Sequence, residues 1–319
     1  MHRAIYSSAY AATLILFFMA AAACHSVKIV PTQEGDWLQS AEIGAFPRSN
    51  AISFVIGDTA YVGTGFNENV QGTQNRLSDF WRFTVDSGWE QLQDMPGIPR
   101  SNAVGFSLGN FGYAGTGYDG ENMYNDFYQY DPVGKKWTRK SDFPGGTRYD
   151  AVGFGIQGKG YIGTGFGNFW LNDFYQYDPQ NDNWVRTIGT SGDFSKRRGA
   201  VAFIYHDKAY IVTGSTSASM TRDFWKFDPS QTQPWIRLKD IINDNTATFD
   251  DGYTDIQRES AVALVKGDSA YLTLGRNVTV MNSTWVYDFA NDRWGQRSPY
   301  HRQARFGAVA FTISNRSFV

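Results

Sequence analysis

Asn125-Asp126-Phe127-Tyr128-Gln129-Tyr130-Asp131-Pro132 recurs without change as Asn172-Asp173-Phe174-Tyr175-Gln176-Tyr177-Asp178-Pro179. Its aromatic alternation reads as a strand, and Asp-Pro opens a turn because proline presets the backbone dihedral. Weaker copies begin at Asp79 and Asp223, each Asp followed by Phe and an aromatic residue. Three more landmarks keep step with this one at a period of about 50 residues. An arginine precedes a small, apolar run, as in Arg48 before Ala51-Ile52-Ser53-Phe54, and similarly at Arg100, Arg148, Arg198, Arg258 and Arg305. Tyr-x-Gly-Thr-Gly follows at Tyr61, Tyr113 and Tyr161, degrading at Tyr210 and Tyr271. A lone tryptophan closes each unit at Trp89, Trp137, Trp184, Trp235 and Trp294.

Self-similarity at this period in a strand-rich chain indicates stacked supersecondary units. Each landmark suits one strand of a propeller blade. The small-residue run belongs innermost, where strands crowd a narrow axis, and Gly-Thr-Gly allows close backbone approach on the next strand. The aromatic Asp-Phe strand comes third, and the tryptophan begins the outer strand and fills space between blades. Six innermost signatures predict an all-β, six-bladed propeller of four-stranded antiparallel blades over residues 35–319. Gly35-Asp36-Trp37-Leu38 carries only the fourth landmark and is expected to supply the outer strand of the last blade. Phe318-Val319 falls where Tyr113-Ala114 falls in its own unit, so either the chain is truncated or the last blade is incomplete, with an exposed edge.

Composition agrees with this reading. The 319 residues hold 33 Gly and 24 Phe, 18 Tyr and 10 Trp, with 19% charged residues and a formal net charge of -2. Such a chain is neither disordered nor a basic nucleic-acid binder. The single cysteine excludes an intramolecular disulfide and any multi-thiolate metal site.

The repeat resembles the Kelch family of propellers, in a bacterial form similar to the central domain of galactose oxidase, with Gly-Thr-Gly in place of paired glycines. That resemblance implies the propeller fold and leaves function open between enzyme, sugar binder and protein platform. Copper-radical chemistry is not expected, because Cys24 lies in the leader and the remaining histidines are His25, His206 and His301. No cofactor or metal site is expected; Asp244, Asp250, Asp251 and Asp255 read as solvated charge rather than a calcium loop. Gly-Thr-Gly opens no helix and so is no phosphate loop.

Residues 1–23 read as an export signal, with Arg3 ahead of an apolar run too short to span a bilayer comfortably. Ala20-Ala21-Ala22-Ala23-Cys24 resembles the lipobox of bacterial lipoproteins, with Ala21 where leucine is preferred, which leaves ordinary signal cleavage near Ala23 as the alternative. Lipid on Cys24, a linker over 24–34 and an outer-membrane location are the expectations, with lipid as the only membrane attachment.

In an antiparallel blade the second-to-third and fourth-to-first loops share one face. These loops vary in length, and 239–257 is much enlarged, so ligand binding is expected there. Arg48, Arg100, Arg148, Arg198, Arg258 and Arg305 lie near the axis on that face and suit an anion, unless each is spent on neighbouring carbonyls. Kelch propellers that bind acidic peptides use arginines at this repeat position, which is what the resemblance implies. Repeat-breaking Phe169-Trp170, Met123-Tyr124, Phe249 and Tyr253 are further candidates for stacking on a sugar. Two functions from different classes follow. The first is a monomeric envelope module binding a glycan or protein partner; the alternative is a sugar epimerase or mutarotase of the sialic-acid epimerase type. Acid/base groups beside the mouth, such as Glu259 or His301, would serve the second.

Overall fold

The computed structural model describes residues 42–44, 47–72, 74–187, 189, 193–242, 253 and 255–319. The export signal, Cys24, the linker and the expected closing strand at 35–38 lie outside the described residues, as do Asp244, Phe249, Asp250 and Asp251.

Five four-stranded antiparallel sheets follow one another along the chain. The first holds β1 (Ile52–Ile56), β2 (Thr59–Gly63), β3 (Phe80–Thr84) and β4 (Gly88–Leu92). The second holds β5 (Val104–Leu108), β6 (Phe111–Gly115), β7 (Phe127–Asp131) and β8 (Lys136–Lys140). The third holds β9 (Val152–Ile156), β10 (Lys159–Gly163), β11 (Phe174–Asp178) and β12 (Asn183–Arg186). The fourth holds β13 (Val201–Tyr205), β14 (Lys208–Val212), β15 (Trp225–Phe227) and β16 (Trp235–Arg237). The fifth holds β17 (Val262–Lys266), β18 (Ser269–Thr273), β19 (Thr284–Asp288) and β20 (Arg293–Arg297). A two-stranded sheet, β21 (Phe311–Ile313) with β22 (Arg316–Phe318), packs between the first and fifth, against β1, β2 and β17. The molecule is an all-β propeller. Where the repeat predicts six four-stranded blades, the described residues form five and one two-stranded sector.

Six backbone hydrogen bonds close around the axis. Asn102 donates to Asn50, Asp150 to Asn102, Gly199 to Asp150, Ser260 to Gly199, Gly307 to Ser260, and Asn50 to Gly307, at 2.6–3.0 Å. All six residues have left-handed φ, between 52° and 65°. The next residue in every sector is alanine (Ala51, Ala103, Ala151, Ala200, Ala261, Ala308), and these alanines and the ring residues wall an axial cavity of about 150 Å³.

Neighbouring sectors lock through backbone and aromatic contacts. The last glycine of each Gly-Thr-Gly donates to the carbonyl of the next sector's arginine, as Gly65 does to Arg100 and Gly117 to Arg148, both at 2.8 Å. At Gly117, φ is 102° and an added Cβ would stand 2.9 Å from Ala103 Cβ, so glycine is required on both counts. Further out, four of the five repeated tryptophans meet the third-strand phenylalanine of the preceding blade: Trp137 on Phe80 at 4.9 Å, Trp184 on Phe127 at 5.0 Å, Trp235 on Phe174 at 4.6 Å, Trp294 on Phe224 at 5.6 Å; Trp89 meets Phe311 of β21 instead, at 6.4 Å. The inter-blade role expected of these indoles is the one they have.

The repeated arginine holds strands together within its own blade. Arg148 is wholly buried; its Nη1 donates to Thr164 O (2.9 Å) and Asp173 Oδ1 (2.7 Å), and its Nη2 to Asp173 Oδ2 (3.0 Å). One guanidinium thereby joins the start of the first strand, the end of the second and the start of the third. Removing one partner of such a pair strands the other charge in a dry interior. Arg148→Ala is therefore expected to lower unfolding stability by about 3–5 kcal/mol in urea titration; a loss below about 1 kcal/mol would show that the clasp is dispensable.

Candidate functional site

The same clasp recurs in four sectors. Arg48 pairs with Asp79 through two 2.6 Å bonds, Arg100 pairs with Asp126, and Arg197 with Asp223, each also reaching a second-strand carbonyl. Trp81 Nε1 (2.7 Å), Tyr128 OH (3.2 Å) and Trp225 Nε1 (2.6 Å) donate back to these carboxylates, which explains the aromatic residue two places after Asp79, Asp126 and Asp223. Burial pulls the Arg197 guanidinium below its usual range against the opposing pull of Asp223.

In the fourth sector the register differs from the sequence reading: the clasping arginine is Arg197, not Arg198. Every other clasping arginine stands three residues before its axial alanine, and Arg197 keeps that spacing to Ala200. Arg198 is thereby released to the loop face. Arg48, Arg100, Arg148 and Arg258 do not reach the axial mouth, since their side chains are at most 5% exposed and turned into the blades. Arg305 is exposed, and its Nε donates to Gln303 O at 3.3 Å.

The fifth sector departs from the rule in chemistry. Ser283 stands where the other sectors have aspartate, and Arg258, wholly buried, donates to Ser283 Oγ (2.8 Å), Ser283 O (3.1 Å) and Leu274 O (2.9 Å). A carboxylate arrives instead from the enlarged loop: Asp255 Oδ1 lies 4.0 Å from Arg258 Nη2 and accepts from Trp285 Nε1 at 3.0 Å. Burial lowers the Arg258 guanidinium to about 10, with Asp255 opposing the fall. Of the acidic cluster, read from sequence as solvated charge, the described member is instead tied to Trp285 and Arg258. Tyr253 is also scaffold, accepting from Trp294 N at 2.9 Å and packing edge-on to Trp285.

Residues that break the repeat gather at the axial mouth. The position before each ring residue is occupied by Ser49, Ser101, Tyr149, Arg198, Glu259 and Phe306 in turn. It bridges to Phe66, Tyr118, Phe166, Ser215 and Arg276 in the first five sectors. Around the first three sectors this gives an aromatic arc: Tyr118 meets Tyr149 at 5.2 Å, Tyr149 meets Phe166 at 5.5 Å, and Trp170 stands edge-on to Phe166 at 4.9 Å. Arg76 lies over Phe66 at 4.7 Å, Arg198 is 5.9 Å from Trp170 and Phe166, and Arg276 lies over Phe306 at 4.5 Å. Glu259, 7% exposed, sits between the last two arginines. It takes Arg276 Nε at 2.8 Å and Ser215 Oγ at 2.5 Å, with Arg198 Nε 3.8 Å away. Arg198 Nη1 also donates to Tyr149 OH at 3.2 Å.

Trp170 therefore belongs to the mouth, whereas Phe169 is the exposed loop tip beside it. Tyr124 lies 4.6 Å over Arg100 and donates to Asp119; burial and that bond raise its phenol to about 12. Asp119, despite desolvation, is held at about 2 by the Asn122 and Glu121 amides and Tyr124. The pair is a loop fastener whose carboxylate also acts on the Arg76 guanidinium at the edge of the mouth. Arg76, Arg276 and Asp150 were not foreseen as site residues; comparing repeat positions for non-matching types is the signal that finds them. Among the described residues no three His, Cys, Asp or Glu side chains come together to hold a metal ion.

Fold and mouth together define a β-propeller with a symmetric frame and an asymmetric, charged and aromatic axial rim. No family model matches the chain, and no curated protein does. Among solved structures, that of YjhT is similar, with a TM-score of 0.69 at 16% identity, covering 86% of this chain and 90% of that one. At that identity the likeness is one of fold.

Because Asp255 replaces the strand carboxylate of the fifth sector, Asp255→Ala should lower the melting temperature. Adding Ser283→Asp, which returns the carboxylate to its place in the other sectors, should restore part of the loss in a scanning-fluorimetry cycle. Additive effects of the two substitutions would contradict the exchange of roles.

Proposed function

We propose that the chain is a six-bladed Kelch-type propeller acting as an exported binding module, anchored to the outer membrane by lipid on Cys24, that holds an anionic glycan or protein ligand at its axial mouth. The observation that carries the ligand reading is the pair Arg198 and Arg276. Both are partly exposed, at 27% and 40% of the side chain, both border aromatic rings, and both are set around a single buried carboxylate. Two guanidiniums against one carboxylate leave a net positive charge, and platforms that fix their planes lower the ordering cost of bidentate anion binding. The aromatic arc beside them offers apolar area for the face of a sugar ring. Six ring residues and six alanines support the six-sector count, and the 35–38 segment is read as the outer strand that closes an incomplete last blade.

The alternative reading, a sugar epimerase or mutarotase, draws on the two carboxyl groups at the mouth, Asp150 and Glu259. Accelerated exchange between the anomers of N-acetylneuraminate, followed by NMR and lost in Glu259→Gln, would favour it over the binding module.

N-acetylneuraminate, glucuronate and an acidic peptide are expected to raise the melting temperature, and galactose to leave it unchanged. Arg198→Ala should abolish the shift while its own melting temperature stays near that of the wild type, and Trp170→Ala should weaken the response to sugars alone. Equal shifts with galactose, or anion shifts that survive Arg198→Ala, would overturn the assignment. The anchor is tested separately: radiolabelled palmitate should enter the protein in expressing cells, and Cys24→Ser should prevent it.

A further inference from the structure

Asp150 is the single ionisable side chain among the six ring positions, which otherwise hold Asn50, Asn102, Gly199, Ser260 and Gly307. It lines the axial cavity at the floor of the mouth, and its Oδ1 accepts from Asn102 Nδ2 at 2.5 Å. The groups around it come from every adjoining sector. On its own segment, Arg148 is spent on Asp173, and the Tyr149 hydroxyl takes its bond from Arg198. The second sector presents neutral Asn102, the fourth Arg198, and the fifth Ser260, Glu259 and Arg276; Asn50 and Gly307 across the axis carry no charge. Burial pushes the Asp150 carboxyl above the usual range, opposed by the Asn102 bond, then by Arg198, while Glu259 adds to the rise and Arg276 opposes it.

Among the charged groups that face it, Arg198, Arg276 and Glu259, the sum is one net positive charge with Asp150 neutral and zero with Asp150 ionised. We propose that Asp150 is a proton-operated gate on the mouth, admitting an anionic ligand when protonated and opposing it when ionised. The proposal rests on the anion-binding reading above. Proton and ligand anion each favour the other, and by linkage the coupling is reciprocal. Affinity is therefore greatest on the acid side of the Asp150 titration and falls as pH rises through it, by at most about tenfold per pH unit for one proton.

Titration of the full chain with N-acetylneuraminate by calorimetry, starting at about pH 4, the ordinary carboxylate value, and rising to about pH 8, should show this decline. Asp150→Asn, which keeps the shape and the acceptor for Asn102, should bind tightly with a flat profile. Binding by the wild type without pH dependence overturns the gate and leaves the mouth reading intact. Absence of binding at every pH in both proteins counts against the mouth reading, and a ligand-free measurement then judges the gate. A carboxyl whose folded pKa is raised stabilises the fold below its unfolded value of about 3.9, and that contribution is lost as pH rises through the folded pKa. Asp150→Asn should therefore melt higher than the wild type at about pH 7 to 8, with the difference shrinking toward about pH 4. A difference that does not change with pH overturns the gate.

Discussion

The ring of six backbone hydrogen bonds about the axis is the constraint on which the other features depend. Each ring residue must turn left-handed to donate to one neighbour and accept from the other. Glycine does this freely and Asn or Asp at little expense; Ser260 is the costlier member. The bonds, each worth about 1 kcal/mol net, gain from closure, because no member has an unpaired end facing the cavity. Having fixed the distance between sectors, the ring also dictates alanine next in every repeat, since a larger side chain would fill a cavity of about 150 Å³.

One shell out, the arginine clasp converts that ring into separate blades. Thr64, Thr116, Thr164 and Thr213 all sit at φ near 60°, an uncommon conformation for a β-branched residue. Such backbone costs of order 1–3 kcal/mol per site and persists where surrounding bonds over-determine it. Here the threonine carbonyl is held by the guanidinium, and the guanidinium by a carboxylate. The strained turn points its following glycine at the next sector's arginine carbonyl, so one clasp serves both the blade and its neighbour. In the fifth sector the same requirement is met by different means, with Asp255 delivered from a loop because Ser283 lacks the charge.

Most of this frame was legible in the repeat, because symmetry repeats its own evidence. Inner strands, inter-blade tryptophans and the near-axial arginines all followed from recurring residues in step. The misplacement of Arg198 arose at Lys196-Arg197-Arg198, where residue type alone is ambiguous and only the spacing to Ala200 discriminates. The clasp itself was less legible, since Arg148 and Asp173 lie 25 residues apart and no local pattern joins them. The mouth was the least legible part. Phe66, Arg76, Tyr149, Glu259 and Arg276 come from three blades and meet only through closure of the ring, and each looks ordinary within its own repeat.

That difference in legibility has a physical origin that bears on function. A residue that closes the ring or clasps a blade answers to the same geometry in every sector, so its identity is dictated by the frame. The residue just before each ring position answers to no such demand, because its side chain leaves the frame toward solvent. Its variation through Ser, Ser, Tyr, Arg, Glu and Phe is therefore free to be set by something outside the frame. The cavity beneath, about the size that holds one benzene ring, has room for a small polar appendage and not for a glycan chain. On the binding reading proposed above, recognition would fall to the rim, where an aromatic arc from the first three sectors faces Arg198 and Arg276 of the fourth and fifth, with Asp150 as the one ionisable group where rim and ring meet.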